Sequence, residues 1–138
     1  MSLLKINTAA WVLIVLSLLL MACSKNGDAD AVADAFVRLY FVEDNVAEAA
    51  GLATGDARTK LDDSLREIEA AGGSEPAADK PRVKATLLET EPASDDGILY
   101  VYRVTSESEV EGMEPITAKL WLSKEGRDWR VKRFVQEE

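Results

Sequence analysis

The spacing of apolar residues changes once along the chain, near residue 81. Before this point apolar side chains recur every three or four positions, as at Leu61, Leu65 and Ile68. Such spacing places them on one face of a helix. The pattern predicts three helices, over residues 30–41, 45–52 and 56–71.

Beyond residue 81 apolar and polar residues alternate, as in strands with one buried face. The strongest run, ILYVYRVT at residues 98–105, is rich in β-branched and aromatic residues. Alternation also predicts a strand starting at Val83 and two more over residues 116–122 and 129–135. This order predicts an α+β domain, in which N-terminal helices pack on a four-stranded antiparallel meander sheet.

The same alternation assigns the strand residues to two faces of the sheet. The first face is strongly apolar and is expected to pack on the helices. It comprises Val83, Ala85, Leu87, Ile98, Tyr100, Tyr102, Val104, Ile116, Ala118, Leu120, Leu122, Trp129, Val131 and Val135. The second, outer face is mixed. It comprises Lys84, Thr86, Leu88, Leu99, Val101, Arg103, Lys119, Trp121, Arg130, Lys132 and Phe134.

The outer face holds more apolar and aromatic residues than a solvated surface needs. Exposed aromatic patches with a charged rim are typical of protein interfaces. We therefore expect a protein-contact surface centred on Leu99, Val101, Trp121 and Phe134. The alternative is a face whose rings are covered by the aliphatic stems of its own lysines and arginines.

The start of the chain has a different pattern. An apolar run at residues 9–22 follows a segment with one positive charge, Lys5. The run is shorter than the roughly 18 residues of a membrane-spanning helix and is typical of a secretory signal peptide. It ends in Leu20-Met21-Ala22-Cys23, which resembles the lipobox of bacterial lipoproteins.

This resemblance implies that residues 1–22 are removed and that Cys23 is acylated. The sulfur receives a diacylglyceryl group, and the new amino terminus receives an acyl chain such as palmitate. Ser24, where Asp would favour the inner membrane, implies sorting to the outer membrane, facing the periplasm, in a Gram-negative cell. Residues 23–29 are then the anchor and a short tether, and residues 30–138 a single domain. The alternative is an uncleaved anchor with an incidental cysteine.

Composition narrows the chemistry of the domain. The chain has 25 acidic and 16 basic residues and a net charge of −9 at pH 7. This charge argues against binding nucleic acid or docking on anionic lipid through a basic patch. There is no histidine, and the single cysteine is assigned to the anchor. Zinc sites and histidine-based triads are therefore excluded, and no cofactor or metal is expected.

The order of elements and the last hairpin, WLSKEGRDWRVK, resemble the nuclear transport factor 2-like superfamily. Small bacterial lipoproteins of this type often end in Gly-x-x-Trp-(Lys/Arg)-Val, which Gly126, Trp129, Arg130 and Val131 match. The resemblance covers about residues 30–135. It implies a curved sheet that wraps around helices as a cone and whose outer face commonly forms homodimers. A cystatin-like helix-on-sheet domain is the near alternative.

A pocket at the mouth of such a cone is a second candidate site. Tyr40, Tyr100 and Tyr102 have apolar rings and polar tips, and enzymes of the superfamily combine a tyrosine with carboxylates around an apolar pocket. A catalytic acid needs burial that raises its pKa, whereas the nearest acids, Asp34 and Glu43, are expected in solvent. The alternative is core tyrosines with satisfied hydroxyl groups.

A run of alternating acids forms the third candidate. Glu107, Glu109, Glu111 and Glu114 offer oxygen ligands of the kind that Ca²⁺ prefers. Their order differs from that of a calcium-binding loop, so a solvated loop is expected.

Together these patterns predict a lipid-anchored envelope protein that serves as a non-catalytic interaction module. Its partners are the membrane, through the lipid on Cys23, and a second copy or another envelope protein, through the outer sheet face. The alternatives are a carrier of a small apolar ligand, using the helix–sheet pocket, and an enzyme built on the same cone.

Overall fold

The first half of the domain is helical. The computed structural model describes residues 27–73, 82–107 and 114–138. The helical elements are α1 (Gly27–Val37), a π-helical segment (Arg38–Val42), α2 (Val46–Ala50) and α3 (Gly55–Ala70). Helix α1 starts before the predicted residue 30, and Ala29, which the sequence placed in the tether, is fully buried.

The second half is one antiparallel sheet. Its strands are β1 (Val83–Pro92), β2 (Ile98–Ser106), β3 (Ile116–Glu125) and β4 (Asp128–Glu137). They lie side by side in chain order, and every neighbouring pair is antiparallel. The predicted α+β class, with helices followed by a four-stranded antiparallel meander, is therefore confirmed.

The core lies between the helices and one face of the sheet. Phe36 of α1 and Leu61 of α3 are fully buried, as are Tyr100, Leu120 and Leu122 of the sheet. Burying side chains of this size stabilises the fold by about 1.5–3 kcal/mol each. The helices thus cover the predicted first face of β2, β3 and β4, whereas Leu87, which was predicted on the same face of β1, is 46% exposed.

A β-bulge in β4 breaks the alternation on which the two faces were predicted. Trp121 pairs with Arg133, but the next residue, Leu122, pairs with Val131. Lys132 is therefore an extra residue in β4. Because of this insertion Val131 and Arg133 point to opposite faces of the sheet, whereas strict alternation would place them on the same face.

The bulge moves Phe134 to the core and Val135 to the outer face. Phe134, paired with Leu120, is only 3% exposed, so its assignment to the outer contact surface was wrong. Val135, paired with Lys119, takes an outer position that the sequence assigned to the first face. The physical reason in both cases is the extra residue, which shifts every later side chain of β4 to the opposite face.

The segment between α2 and α3 lies against the free edge of β4. The backbone N–H of Thr54 donates to the carbonyl oxygen of Val131 (2.9 Å), and that of Val131 donates to the carbonyl oxygen of Leu52 (2.9 Å). The Arg130 guanidinium donates to the carbonyl oxygen of Gly51 (2.6 Å). These bonds attach the helical layer to the sheet beside the bulge.

Candidate functional site

The outer face of the sheet is organised in rows that cross all four strands. One row is set by the pairing of Glu91 with Leu99, Leu99 with Trp121, and Trp121 with Arg133. It contains a carboxylate at one margin, two apolar side chains in the middle and a guanidinium at the other margin. Three of the four residues predicted for the contact surface, Leu99, Val101 and Trp121, lie on this face.

The aromatic centre of this row is partly covered. The Arg133 guanidinium lies 4.8 Å from the centre of the Trp121 ring, within range of a cation–π interaction. Leu99 and Trp121 remain half-buried, and Val101 is buried. The covering of rings by basic side chains, the alternative weighed from the sequence, therefore occurs at Trp121.

Near this row the two margins of the outer face carry opposite charges, whereas farther along the strands Lys84 lies on β1 and Glu137 on β4. Glu89 and Glu91 lie on β1, whereas Lys119 and Arg133 lie on β3 and β4. A hydrogen bond with Glu91 and the repulsion of its charge raise the pKa of Glu89. Lys119 is already paired with Glu137 at 3.1 Å. The β1 margin is thus crowded with like charges, and Arg133 at the opposite margin contacts a ring.

Two of the three tyrosines predicted as a pocket, Tyr100 and Tyr102, instead hold α1 on the sheet. The Tyr100 hydroxyl donates to Asp30 Oδ1 (2.5 Å), and the Tyr102 hydroxyl donates to Asp34 Oδ1 (2.5 Å). The Tyr100 ring is fully buried and that of Tyr102 is 3% exposed. Tyr40 accepts a hydrogen bond from Gln136 Nε2 (3.4 Å). All three hydroxyl groups therefore have protein partners.

These bonds depend on two spacings in the sequence whose match becomes visible only when the helix packs on the sheet. Asp30 and Asp34 are four residues apart on a helix, a rise of about 6 Å. Tyr100 and Tyr102 are two residues apart on a strand, a rise of about 6.7 Å. Because the two rises are nearly equal, the two aspartates on the helix lie opposite the two tyrosines on the strand. Both hydrogen bonds can therefore form together.

Ionisation of the tyrosines offers a direct test of this arrangement. Burial, followed by the hydrogen bonds to Asp30 and Asp34, raises the pKa of Tyr100 and Tyr102 well above the ordinary value near 10, and burial also raises the pKa of Tyr40. Because the fold holds these protons more tightly than the unfolded chain, their stabilising effect is complete below about pH 10 and is lost as the pH rises further. We expect little tyrosinate absorbance at 295 nm at pH 10 in the native protein, and about half-ionisation in guanidinium chloride. Equal titration in both states would contradict the paired geometry.

The cavities lined by described residues lie elsewhere. One of about 310 Å³ opens beside Trp121, between the β1–β2 turn and the start of α3, with Asp56 and Lys132 in its wall. Another of about 490 Å³ lies between the start of α1 and the β3–β4 turn. A third, of about 360 Å³, lies between the residues before α2 and the end of α3. None of these three is lined by Tyr40, Tyr100 or Tyr102.

The acids proposed for catalysis or metal binding are dispersed. Asp34 accepts from Tyr102, and Glu43 is 3.8 Å from Arg38. Of the acidic run, Glu107 and Glu114 are exposed, whereas Glu109 and Glu111 lie outside the described residues. Within residues 27–73, 82–107 and 114–138, no three acids group so as to hold a metal ion.

Three exposed apolar side chains were not predicted as a site. Leu88 is 56% exposed, Leu87 46% and Val42 44%. Leu88 is the extra residue of a bulge in β1, where Leu87 pairs with Tyr102 and Glu89 with Val101. The sequence signal was the pair of adjacent leucines, which alternation cannot place on one face.

The predicted anchor lies outside the described residues, including the lipobox, Cys23 and Ser24. In the described part of the chain, no helix is both long enough and apolar enough to cross a bilayer. The chain matches no protein-family model, no curated protein and no solved structure.

Proposed function

We propose that the protein is a lipid-anchored, non-catalytic interaction module of the bacterial cell envelope whose outer sheet face binds a second copy of the chain. The observation that carries this proposal is the row Glu91, Leu99, Trp121 and Arg133, which runs from a negative to a positive margin across an apolar centre. The lipid anchor on Cys23 rests on the lipobox resemblance.

The row is complementary to itself. A two-fold axis that lies parallel to the strands, between β2 and β3, places β1 of one copy over β4 of the other. Each row then faces the same row of the second copy, with its residues in the opposite order. Glu91 faces Arg133 of the second copy, and Leu99 faces Trp121. Opposite charges meet at both margins and apolar side chains meet at the centre, which is the usual division of an interface.

The dimensions of the face agree with a standard interface. Four strands spaced about 4.8 Å apart, with nine or ten residues each, form a surface about 19 Å wide and 30 Å long. Side-chain relief increases the area beyond this flat outline, toward the roughly 800 Å² that each partner of a stable complex buries. Two such faces pack at about 10 Å with strands nearly aligned.

The element order supports a nuclear transport factor 2-like or cystatin-like fold as the finer assignment. Helices precede the strands, and Gly126, Trp129, Arg130 and Val131 sit in the last hairpin as the family pattern requires. Gly126 has a φ of 63°, which explains the preference for glycine in this turn.

The ligand-carrier alternative receives less support than the interaction module. It needs an open pocket at the tyrosines, but Tyr100 and Tyr102 are buried and their hydroxyl groups are bonded to Asp30 and Asp34. The enzyme alternative needs an acid free to exchange a proton with a substrate. The two acids nearest the tyrosines are instead acceptors that fix a helix.

Replacing Trp121 with alanine tests the proposed surface. We expect the soluble domain without residues 1–23 to sediment as a dimer at micromolar concentration. Trp121→Ala should weaken self-association by about 30-fold, as for a central aromatic contact worth about 2 kcal/mol. Val42→Ala, at an exposed apolar residue of the helical layer, is the control and should leave the dimer intact. A wild-type monomer at all concentrations would overturn the proposal.

A further inference from the structure

One end of the domain contains a groove between the start of α1 and the β3–β4 turn. The groove measures about 490 Å³, and Asp28 of α1 faces Arg127, Asp128, Trp129 and Arg130 of the hairpin across it. Arg127 lies in the turn itself and is exposed. Arg130 lies 3.8 Å from Asp128. The groove therefore combines two guanidinium groups, two carboxylates and an indole ring.

The direction of α1 places its first turn at this end. Asp30 bonds to Tyr100 and Asp34, one turn later, bonds to Tyr102. Tyr100 is the nearer of the two tyrosines to the β1–β2 turn, which lies at the same end of the sheet as the β3–β4 turn. Reversing α1 would separate both pairs. The hydrogen bonds thus hold the N-terminus of α1 beside the groove.

Chain length then fixes the distance from the groove to the anchor. Only four peptide steps separate Cys23 from Gly27, the first residue of α1, and they span at most about 14 Å. The lipid head groups form a layer about 5–8 Å thick on each side of the hydrocarbon. If Cys23 carries lipid, as proposed above, the groove lies within reach of that layer.

The charges of the groove select the kind of head group. Guanidinium groups bind phosphate oxygens well. A carboxylate and an indole ring both attract an ammonium group, and tryptophan is enriched at the level of the head groups. With two positive and two negative side chains the groove is balanced, whereas a chain of net charge −9 is repelled by an anionic surface. A phosphate and an ammonium together describe a zwitterionic phospholipid.

We propose that this groove faces the bilayer and binds the head group of a zwitterionic phospholipid, with the phosphate at Arg127 and Arg130 and the ammonium at Asp28 and Trp129. The inference rests on the proposed lipid anchor and is independent of self-association through the outer face. It assigns an orientation in which the strands of the sheet point away from the membrane, with residues 107 and 114 at the distal end.

Two tryptophans of the mature chain make the orientation measurable. The acylated protein is purified from membranes and reconstituted into vesicles of phosphatidylethanolamine and phosphatidylcholine that contain a phosphatidylcholine with a nitroxide on its head group. Trp121→Phe leaves Trp129 as the reporter, and Trp129→Phe leaves Trp121. Both rings are partly buried in the protein, and dividing the head-group quenching of each by its quenching with aqueous acrylamide corrects for any difference in exposure, including burial of Trp121 by self-association. We expect fluorescence of Trp129 to be quenched at least about twofold more than that of Trp121. Equal quenching, or stronger quenching of Trp121, would overturn the orientation.

Charge reversal and lipid replacement test the head-group chemistry. Arg127→Glu should abolish the excess quenching of Trp129, whereas Lys84→Glu, an equal charge change at the opposite end of the sheet, should preserve it. Replacing the zwitterionic lipids with phosphatidylglycerol should also reduce it, and an increase would overturn the zwitterionic assignment.

The intact mass of the same purified sample separates the two proposals. A mass that shows loss of residues 1–22 and added acyl chains, absent from Cys23→Ala, establishes the anchor. Unequal quenching then supports the orientation, and equal quenching overturns it while the anchor stands. An unmodified Cys23 overturns the anchor and the orientation together.

Discussion

Replacing Phe134 with alanine is expected to lower the free energy of unfolding by about 3–5 kcal/mol, the usual cost of removing a buried phenylalanine. The ring lies 5.2 Å from that of Phe36 and 5.1 Å from that of Tyr40, both edge-on, and the Lys60 ammonium lies 4.2 Å from its centre. Truncation leaves a cavity between α1, α3 and the sheet that these neighbours cannot fill. Urea unfolding of the soluble domain, followed by circular dichroism, measures the change.

Val135→Ala is the matched control for this prediction. Val135 is partly exposed and lies on the outer face beside Lys119, so its truncation should cost about 1 kcal/mol or less. Without the bulge at Lys132, Val135 would point to the core and Phe134 to solvent. A larger cost at Val135 than at Phe134 would therefore show that β4 has no extra residue and that the described register is wrong.

Reversing either charge of the outer row is expected to dissociate the proposed dimer. Glu91→Arg places two arginines opposite each other at both margins, and Arg133→Glu places two glutamates there. Like charges facing each other cost several kcal/mol at a desolvated interface. Each variant alone should therefore associate about 100-fold more weakly than the wild type. An equimolar mixture of Glu91→Arg and Arg133→Glu should associate again, because the new positive charge of one variant then faces the new negative charge of the other.

Sedimentation velocity of each variant and of the mixture gives the result directly. Arg66→Glu, an equal charge change on the exposed side of α3, should not affect association, because it lies on the helical layer. A mixture no heavier than its components would contradict the facing of β1 and β4. Dimers of either variant alone would place the contact on another surface.

Local pattern determined the kind and order of elements, but it could not locate the bulge. The alternation in residues 116–122 and 129–135 identifies β3 and β4, because each strand has one apolar side. The assignment of faces from this alternation assumes that β3 and β4 pair without an inserted residue. The extra residue at Lys132 lies next to contacts from outside the hairpin, where Val131 is bonded to the backbone of Leu52 and Thr54. Sequence periodicity within β4 contains no information about these bonds.

At the candidate site, too, local sequence pattern predicted some features, and others became visible only in the tertiary structure. Inward positions for Tyr100 and Tyr102 follow from alternation alone, and the structure places both rings in the core. Their partners follow only when the helix is laid on the strand, because the sequence around Asp30 and Asp34 has the pattern of ordinary solvent-facing acids on a helix. For the outer row, alternation identified Leu99 and Trp121, whereas the facing of Glu91 and Arg133 at the margins required the register of all four strands.

The two edges of the sheet differ in a way that limits how copies of this protein can associate. The segment Leu52 to Thr54 occupies the middle of the β4 edge, whereas β1 neighbours β2 alone among the described strands. A fibre of stacked strands grows only if every subunit offers two open edges. Here the bridge from Ala53 interrupts the opposite edge at Val131, so only part of β4 is left for the next copy. The connection between α2 and α3 therefore disfavours growth of a fibre as well as joining the helices to the sheet.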